Sequence, residues 1–252
     1  MGGAMIEIHN EDCLATLAGM APGSVDLLLQ DTPFGCTQNE WDIKPDLAAM
    51  WPEWERVTKE DGAMVFFATQ PFASELIQSR AKNFRYDLIW HKVGVTGFLN
   101  AGAMPLRNHE HILVFYRKLP IYNPQMSVGA MQTKGRGGLG RSSSNYGGYR
   151  NGADLAKTNN TYYPRSIISF SNTCRSTGHF HPTQKPLEVV RYLVRTYSIE
   201  NDLVFDGYSG SGTTAAACLK EKRRFVGSEL SKACFDNSLK RLALLRAAPE
   251  LF

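Results

Sequence analysis

Two short loops, each placed directly after an apolar run of strand character, constrain this chain more than any other feature. Residues 31–35 read D-T-P-F-G after Val25–Gln30, and 175 positions later residues 206–214 read D-G-Y-S-G-S-G-T-T after Leu203–Phe205. A glycine-rich turn leading from a strand into a helix aims backbone N–H groups at whatever lies above the strand end. A nucleotide-like ligand is therefore expected over Asp206, Gly207, Gly210, Gly212 and Thr213. The spacing G-x-x-G-x-G departs from the dinucleotide fingerprint, and Thr213 rather than a lysine follows Gly212, which argues against a triphosphate. Glu229 stands 23 residues beyond Asp206 at the end of the next strand-like run, where a carboxylate is placed to accept hydrogen bonds from ribose hydroxyls. Adenosine without a polyphosphate fits this set, although tight turns alone would use the same residues.

Between and around these loops the chain alternates. Strand-like runs occupy Val25–Gln30, Ala63–Ala68, Tyr86–Trp90, Ile112–Tyr116, Leu203–Phe205 and Arg224–Gly227, and helical spacing covers Leu47–Lys59, Phe72–Ala81, Pro186–Tyr197, Thr213–Lys220 and Ser231–Leu245. That order predicts an α/β fold, Rossmann-like and doubly wound, with a mostly parallel sheet covered by helices on both faces. A chain of 252 residues, 43% hydrophobic, fills one sizeable core. Five scattered cysteines without a C-x-x-C pair point to a reducing cytoplasm. No apolar run approaches the roughly 20 residues of a membrane span, so no membrane partner is expected. Met1–Ala4 reads as an extension ahead of a start at Met5.

The D-T-P-F loop suits a planar ring that carries an exocyclic amine. Asp31 offers a carboxylate, the carbonyl beside Pro33 a second acceptor, and Phe34 an aromatic face. The amine of adenine or cytosine is a poor nucleophile because its lone pair is delocalised into the ring. Two acceptors drawing on its N–H groups favour a pyramidal nitrogen that can attack an electrophile, which is an electrostatic and positioning task. The ring reaches such a loop only by leaving the duplex, at a cost of a few kcal/mol, and stacking on an aromatic returns roughly 1–3 kcal/mol. The motif alone would equally describe an Asp-x-Pro turn beside a buried Phe.

The net charge of +4 is concentrated. Between Pro120 and Arg165 lie Lys134, Arg136, Arg141, Arg150, Lys157 and Arg165 against the single acid Asp154, with eight glycines and five tyrosines and little apolar periodicity. Such a stretch reads as a long loop or small lobe, and its composition suits phosphate contacts and base stacking; a solvated loop without a ligand is the other reading.

Taken together, the chain resembles the β-class S-adenosyl-L-methionine-dependent DNA amino-methyltransferases, in which the catalytic half precedes the cofactor half. The resemblance runs over nearly the whole chain. Residues 10–14, N-E-D-C-L, look like the family's opening, with Asp12 contacting the cofactor adenine and Cys13 beside it. Asp31, Thr32, Pro33 and Phe34 stand where the family has D-P-P-Y. Arg107, Asn108, His109 and Glu110 with the following strand resemble the segment lining the target-base pocket. Residues 181–186, H-P-T-Q-K-P, are closely associated with the family and imply cofactor contacts for His181, Thr183, Gln184 and Lys185, alongside Asp31 and the glycine loop. The resemblance implies a class I methyltransferase domain with three parts: a catalytic half over 1–119, an inserted DNA target-recognition segment over 120–165, and an S-adenosyl-L-methionine-binding half over 166–252. It also implies double-stranded DNA as partner, contacted by Arg107, His109, Lys134, Arg136, Arg141 and Arg150, and leaves room for a homodimer and a cognate restriction endonuclease, in a bacterial cytoplasm or that of a phage host.

Thr32 departs from the family's first proline, keeping the main-chain acceptor but not the fixed φ; Phe34 keeps the stacking face and loses a hydroxyl. Asp at the first position, where cytosine-N4 enzymes more often carry Ser, favours adenine N6, with cytosine N4 as the alternative. A catalytically weakened, cofactor-binding DNA protein is a further alternative, and RNA or protein methylation a weaker one. Carbon-5 methylation of cytosine needs a nucleophilic Cys, usually after Pro, and none of the five follows a proline. No metal is expected, since His109 with His111 and His179 with His181 lack partners at a ligand spacing. Trp41, Trp51 and Trp54 read as core or interface.

Overall fold

The computed structural model describes residues 5–36, 39, 42–133, 158–172 and 184–247. Two compact units are distinguished: residues 1–123 with 166–252, and residues 124–165. The first contains a sheet of eight strands: β1 (Ile6–His9), β2 (Val25–Gln30), β3 (Thr58–Ala68), β4 (Phe84–Thr96), β5 (Arg107–Phe115), β8 (Ile167–Phe170), β9 (Leu203–Asp206) and β10 (Arg224–Ser228). Their order is β1-β10-β9-β2-β3-β5-β4-β8. The first four pairings are parallel, β5 runs antiparallel to both β3 and β4, and β8 joins β4 in parallel. The expected α/β fold with a mostly parallel sheet is observed.

Among the described residues six α-helices flank this sheet: α1 (Cys13–Gly19), α2 (Leu47–Val57), α3 (Phe72–Ser79), α4 (Leu187–Tyr197), α5 (Thr213–Lys220) and α6 (Lys232–Ala247). Two apolar clusters divide them between its faces, because successive strand residues point to opposite sides. Leu28, Met64, Phe66 and Leu113 pack with Trp51 and Trp54 of α2, Leu17 of α1 and Phe72 of α3. Leu27, Leu29, Val65, Phe67 and Ile112 pack with Val190 and Leu193 of α4, Ala216 of α5 and Leu242 of α6. Both tryptophans described on α2 are therefore core; Trp41 lies outside the described residues.

The observed elements extend several of the apolar runs. β3 starts at Thr58, directly after α2, and includes the charged residues 59–61, where Lys59 pairs with Asp26 of β2 at 2.5 Å. Such residues carry no apolar signal, yet their backbone continues the strand. β4 likewise runs on to Thr96, opposite Arg107 of β5. β1 and α1, which no periodicity marked, form because β1 pairs with β10 and Asp12 caps α1, its carboxylate accepting from the Leu14 N–H at 2.8 Å.

The second unit begins at Pro124, four residues after the boundary expected from composition. Asn123 belongs with α4: its N–H donates to the Thr196 carbonyl, and its side chain donates to the carbonyls of Arg195 and Ser198. Within the second unit, β6 (Ser127–Thr133) and β7 (Thr158–Tyr162) pair antiparallel. Lys134, Arg136, Arg141, Arg150 and Lys157 lie outside the described residues, as do Met1–Ala4.

Candidate active site

Strand order determines which loops become neighbours. The chain leaves β9 through α5 toward β10 on one side, and leaves β2 through α2 toward β3 on the other, so the winding reverses between β9 and β2. In open α/β sheets ligands bind outside the carboxyl ends of the strands at such a reversal. Here the ends of β1, β10, β9 and β2 carry, in that order, Asp12, Glu229, Asp206 and Asp31. Four acids distant in sequence thereby stand at the ends of four adjacent parallel strands.

The glycine loop after β9 is pinned from several sides. Asp206 accepts from the Tyr208 N–H at 3.0 Å and from the Thr214 hydroxyl at 2.6 Å. Burial pushes its pKa up to about 7, against those two hydrogen bonds and with the charges of Asp31 and Glu229 adding to the rise. Glu229 accepts from the Gly210 N–H and the Ser231 N–H, both at 2.8 Å, so each of its oxygens already holds one backbone donor and keeps a second lone pair for a ligand. Asn10 donates to the carbonyls of Glu229 and Leu230, bringing the segment before Asp12 to the same place. Beneath the loop, buried Gln30 donates to the Phe205 carbonyl and accepts from the Gly207 N–H, and buried Arg241 of α6 donates to the Ser211 carbonyl and the Thr213 hydroxyl. Gly210 and Gly212 have φ of +51° and +73°, which side chains rarely adopt. Among the described residues, a Cβ on Gly210 would have only the Tyr208 carbonyl oxygen within 4 Å, whereas one on Gly207 would lie 2.1 Å from the Cys13 sulfur. Gly207 is thus required by packing, and the described residues leave the space over Gly210 open to a ligand. Open space above a positive-φ turn, beside carboxylates that retain acceptor capacity, fits the adenosine and amino-acid ends of S-adenosyl-L-methionine.

The D-T-P-F-G loop is held by Asp42, which belongs to no sequence motif. Asp42 accepts from the N–H groups of Phe34 and Gly35 at 2.8 Å and of Cys36 at 2.9 Å, a fork of three charge-assisted bonds on consecutive residues. Phe34 lies against Phe72, with ring centroids 5.9 Å apart and planes at 28°. The Thr32 hydroxyl is buried and has no hydrogen-bond partner among the described residues.

Lys185 reaches Asp31. Its ammonium is 2.7 Å from the Asp31 carboxylate and 3.4 Å from Glu110 Oε2, with the rings of Phe34 and Phe67 at 5.6 and 5.1 Å. The resemblance implied a cofactor contact for Lys185; the geometry sets its charge on the D-T-P-F loop. Glu110 Oε1 accepts from Lys92 at 2.5 Å. Burial raises the Asp31 pKa and Glu110 adds to the rise, while Lys185 and Lys92 oppose it. Burial works to raise Glu110 as well, but Lys185 and Lys92 outweigh it and the net direction is down. Burial works against the Lys185 ammonium too, yet its two carboxylate neighbours drive its pKa up.

Gln184 is buried, and His181 and Thr183 lie outside the described residues. Arg107 and His109 are exposed on β5, and strand alternation turns them to the face opposite Glu110. His111 contacts Asp87 at 3.2 Å. Among the described residues no group of three or more His, Cys, Asp and Glu could hold a metal ion, and no helix is long and apolar enough to cross a membrane.

Comparison with known proteins agrees with this architecture. Residues 25–240 match the DNA methylase family of N6 and N4 methyltransferases. The chain is 26% identical over 253 residues to the DNA adenine methyltransferase YhdJ of Escherichia coli K12, covering 93% of this chain and 81% of that protein. It is 22% identical over 303 residues to the type II methyltransferase M.HindIII of Haemophilus influenzae, covering 94% and 95%. Among solved structures it resembles the M1.HpyAVI–SAM complex, with a TM-score of 0.63, 22% identity and coverage of 94% and 99%. It also resembles the cytosine-N4-specific PvuII DNA methyltransferase, with a TM-score of 0.66, 14% identity and coverage of 95% and 86%. These two share its fold. A class I sheet with its acids gathered at the winding reversal, matched by the family over most of its length, makes this chain a member of the S-adenosyl-L-methionine-dependent DNA methylase family of N6 and N4 amino-methyltransferases.

Proposed function

We propose that this protein methylates N6 of an adenine flipped out of double-stranded DNA. The observation that carries the reading is the adjacency of the β9 and β2 ends, which brings the glycine loop beside Asp31. When bound, S-adenosyl-L-methionine supplies a methyl group on a cationic sulfur; the amine nitrogen's lone pair forms the new N–C bond as the S–C electron pair returns to sulfur. Asp12 and Glu229 hold the adenosine end and Asp206 the amino-acid ammonium, with Gln184 and the backbone of Gly207, Gly210, Gly212 and Thr213 completing the cradle. Asp31 and the carbonyl beside Pro33 accept from the amine and turn its lone pair toward the methyl group. The nitrogen gains positive charge during the transfer and afterwards gives up one proton, which Asp31 receives and passes to solvent. Phe34 stacks on the base, and Arg107, His109 and the basic unit around residues 124–165 contact DNA.

Asp at the head of the motif supports adenine, as does the likeness to an enzyme named as an adenine methyltransferase. The likeness in fold to a cytosine-N4 enzyme keeps N4 of cytosine as the second reading. Against the weakened alternative, the Asp42 fork supplies the loop order that Thr32 forgoes. The test is mass spectrometry of nucleosides from unmethylated bacterial DNA after incubation with S-adenosyl-L-methionine and either the protein or Asp31→Ala. N6-methyl-2′-deoxyadenosine formed only by the parent supports the reading; N4-methyl-2′-deoxycytidine moves the target base; no methylated base with intact cofactor binding overturns catalysis.

A further inference from the structure

The described residues around Asp31 form a row of alternating charges: Asp31 after β2, Lys185 before α4, Glu110 on β5 and Lys92 on β4. Glu110 lies opposite Trp90 in the β4–β5 register, so Lys92, two residues on, meets it diagonally on the same face. The two oxygens of Glu110 are used unequally. Oε1 holds Lys92 at 2.5 Å, whereas buried Oε2 has, among the described residues, only the longer ion pair with the Lys185 ammonium at 3.4 Å. A buried carboxylate oxygen held only at that distance is under-satisfied, and a small movement of one flexible side chain would shorten the contact.

We propose that Lys185 and Glu110 are positioning residues for the proposed methyl transfer: Lys185 closes Asp31 in the free protein and shifts onto Glu110 Oε2 as the target amine takes up Asp31. The physical need is specific to the transition state. The amine nitrogen gains positive charge beside Asp31, and an ammonium 2.7 Å from the same carboxylate opposes that charge. Glu110 draws the ammonium away without releasing it to solvent, and Lys92 keeps Glu110 ionised. The faces of Phe34 and Phe67 give the ammonium favourable surface on either course. The inference rests on the proposed function only for its catalytic half, because the charge coupling exists in the free protein.

The two halves separate experimentally. Carboxyl-carbon NMR of aspartate-labelled protein, with Asp31 assigned through Asp31→Asn, reads the titration of Asp31 without cofactor or DNA. Lys185→Met removes the cation and moves that titration to higher pH. Glu110→Gln removes a like charge, leaves Lys185 wholly to Asp31, and moves it to lower pH. Asp206, the further acid coupled to Asp31, is unchanged in both variants. In single-turnover methylation Glu110→Gln lowers the rate by about tenfold with DNA and cofactor affinities as in the parent. Titrations that stay put, or move the same way in both variants, overturn the coupling. Weakened cofactor binding in Lys185→Met with Asp31 unmoved returns Lys185 to the cofactor. Opposite titration shifts in a protein that methylates no base leave the coupling standing and remove the proposed function instead. Should Lys185→Met not fold, Glu110→Gln decides the charge effect: a shift of the Asp31 titration to lower pH supports the coupling, and no shift overturns it.

Discussion

The contact between Gly207 and Cys13 allows a quantitative test of the cofactor loop. A Cβ on residue 207 would sit 2.1 Å from the Cys13 sulfur, 3.2 Å from its Cβ and 3.3 Å from Gln30 Oε1. Neither partner can withdraw freely. Cys13 is buried in the first turn of α1, and Gly207 is held by its N–H to Gln30 and by the Ser228 hydroxyl donating to its carbonyl. Gly207→Ala should therefore reach the upper end of the usual overpacking range, about 3 kcal/mol. Cys13→Ala alone gives up one buried sulfur, about 1 kcal/mol. In the double variant the nearest atoms are those at 3.2 and 3.3 Å, which need yield only a few tenths of an ångström. It should then lose roughly 1–2 kcal/mol instead of the additive 4, a coupling of about 2–3 kcal/mol in the compensating direction. Urea unfolding of the four proteins measures this, and S-adenosyl-L-methionine titration should show the Gly207→Ala loss restored in the double variant. Additive effects within about 0.5 kcal/mol would refute the reasoning.

Three further outcomes are expected. Asp206 carries a folded pKa raised to about 7, so its protonation favours the fold at low pH, and this contribution is lost as pH rises from about 4 through 7; Asp206→Asn should flatten the stability–pH curve across that window, as thermal unfolding at each pH would show. Thr32→Val removes a buried hydroxyl without a hydrogen-bond partner among the described residues and should stabilise by about 1 kcal/mol, and a lower unfolding midpoint would contradict that. Asp42→Ala removes three charge-assisted bonds, each about 1.5–3 kcal/mol, from the D-T-P-F-G loop; kcat should drop at least tenfold while the cofactor Kd holds, and a parallel loss of both would assign Asp42 to general stability.

Several features of the site were legible in local sequence. The glycine loop and the acids at positions 31, 206 and 229 follow apolar runs, and a strand that ends in a turn announces itself through residue type alone. Other features carry no local mark. Asp42 is an ordinary acid until the chain bends back to place it under three N–H groups, and Arg241 is one basic residue on a helix until α6 packs beneath residues 211–213. Glu110 belongs by resemblance to a pocket-lining segment, but its pairing with Lys92 depends on the antiparallel register of β4 and β5.

The alternation of strands and helices, the turn that follows β9 and the concentration of basic charge between residues 120 and 165 are local properties, because each depends on neighbours within a few positions. Tertiary structure alone decided that β9 lies beside β2, that Lys185 meets Asp31 across 154 positions, and that Cys13 leaves no room for a side chain at 207. Those contacts arise from strand order and from burial on the two faces of one sheet, where a residue's partners are chosen by packing and by the need to pair every buried charge.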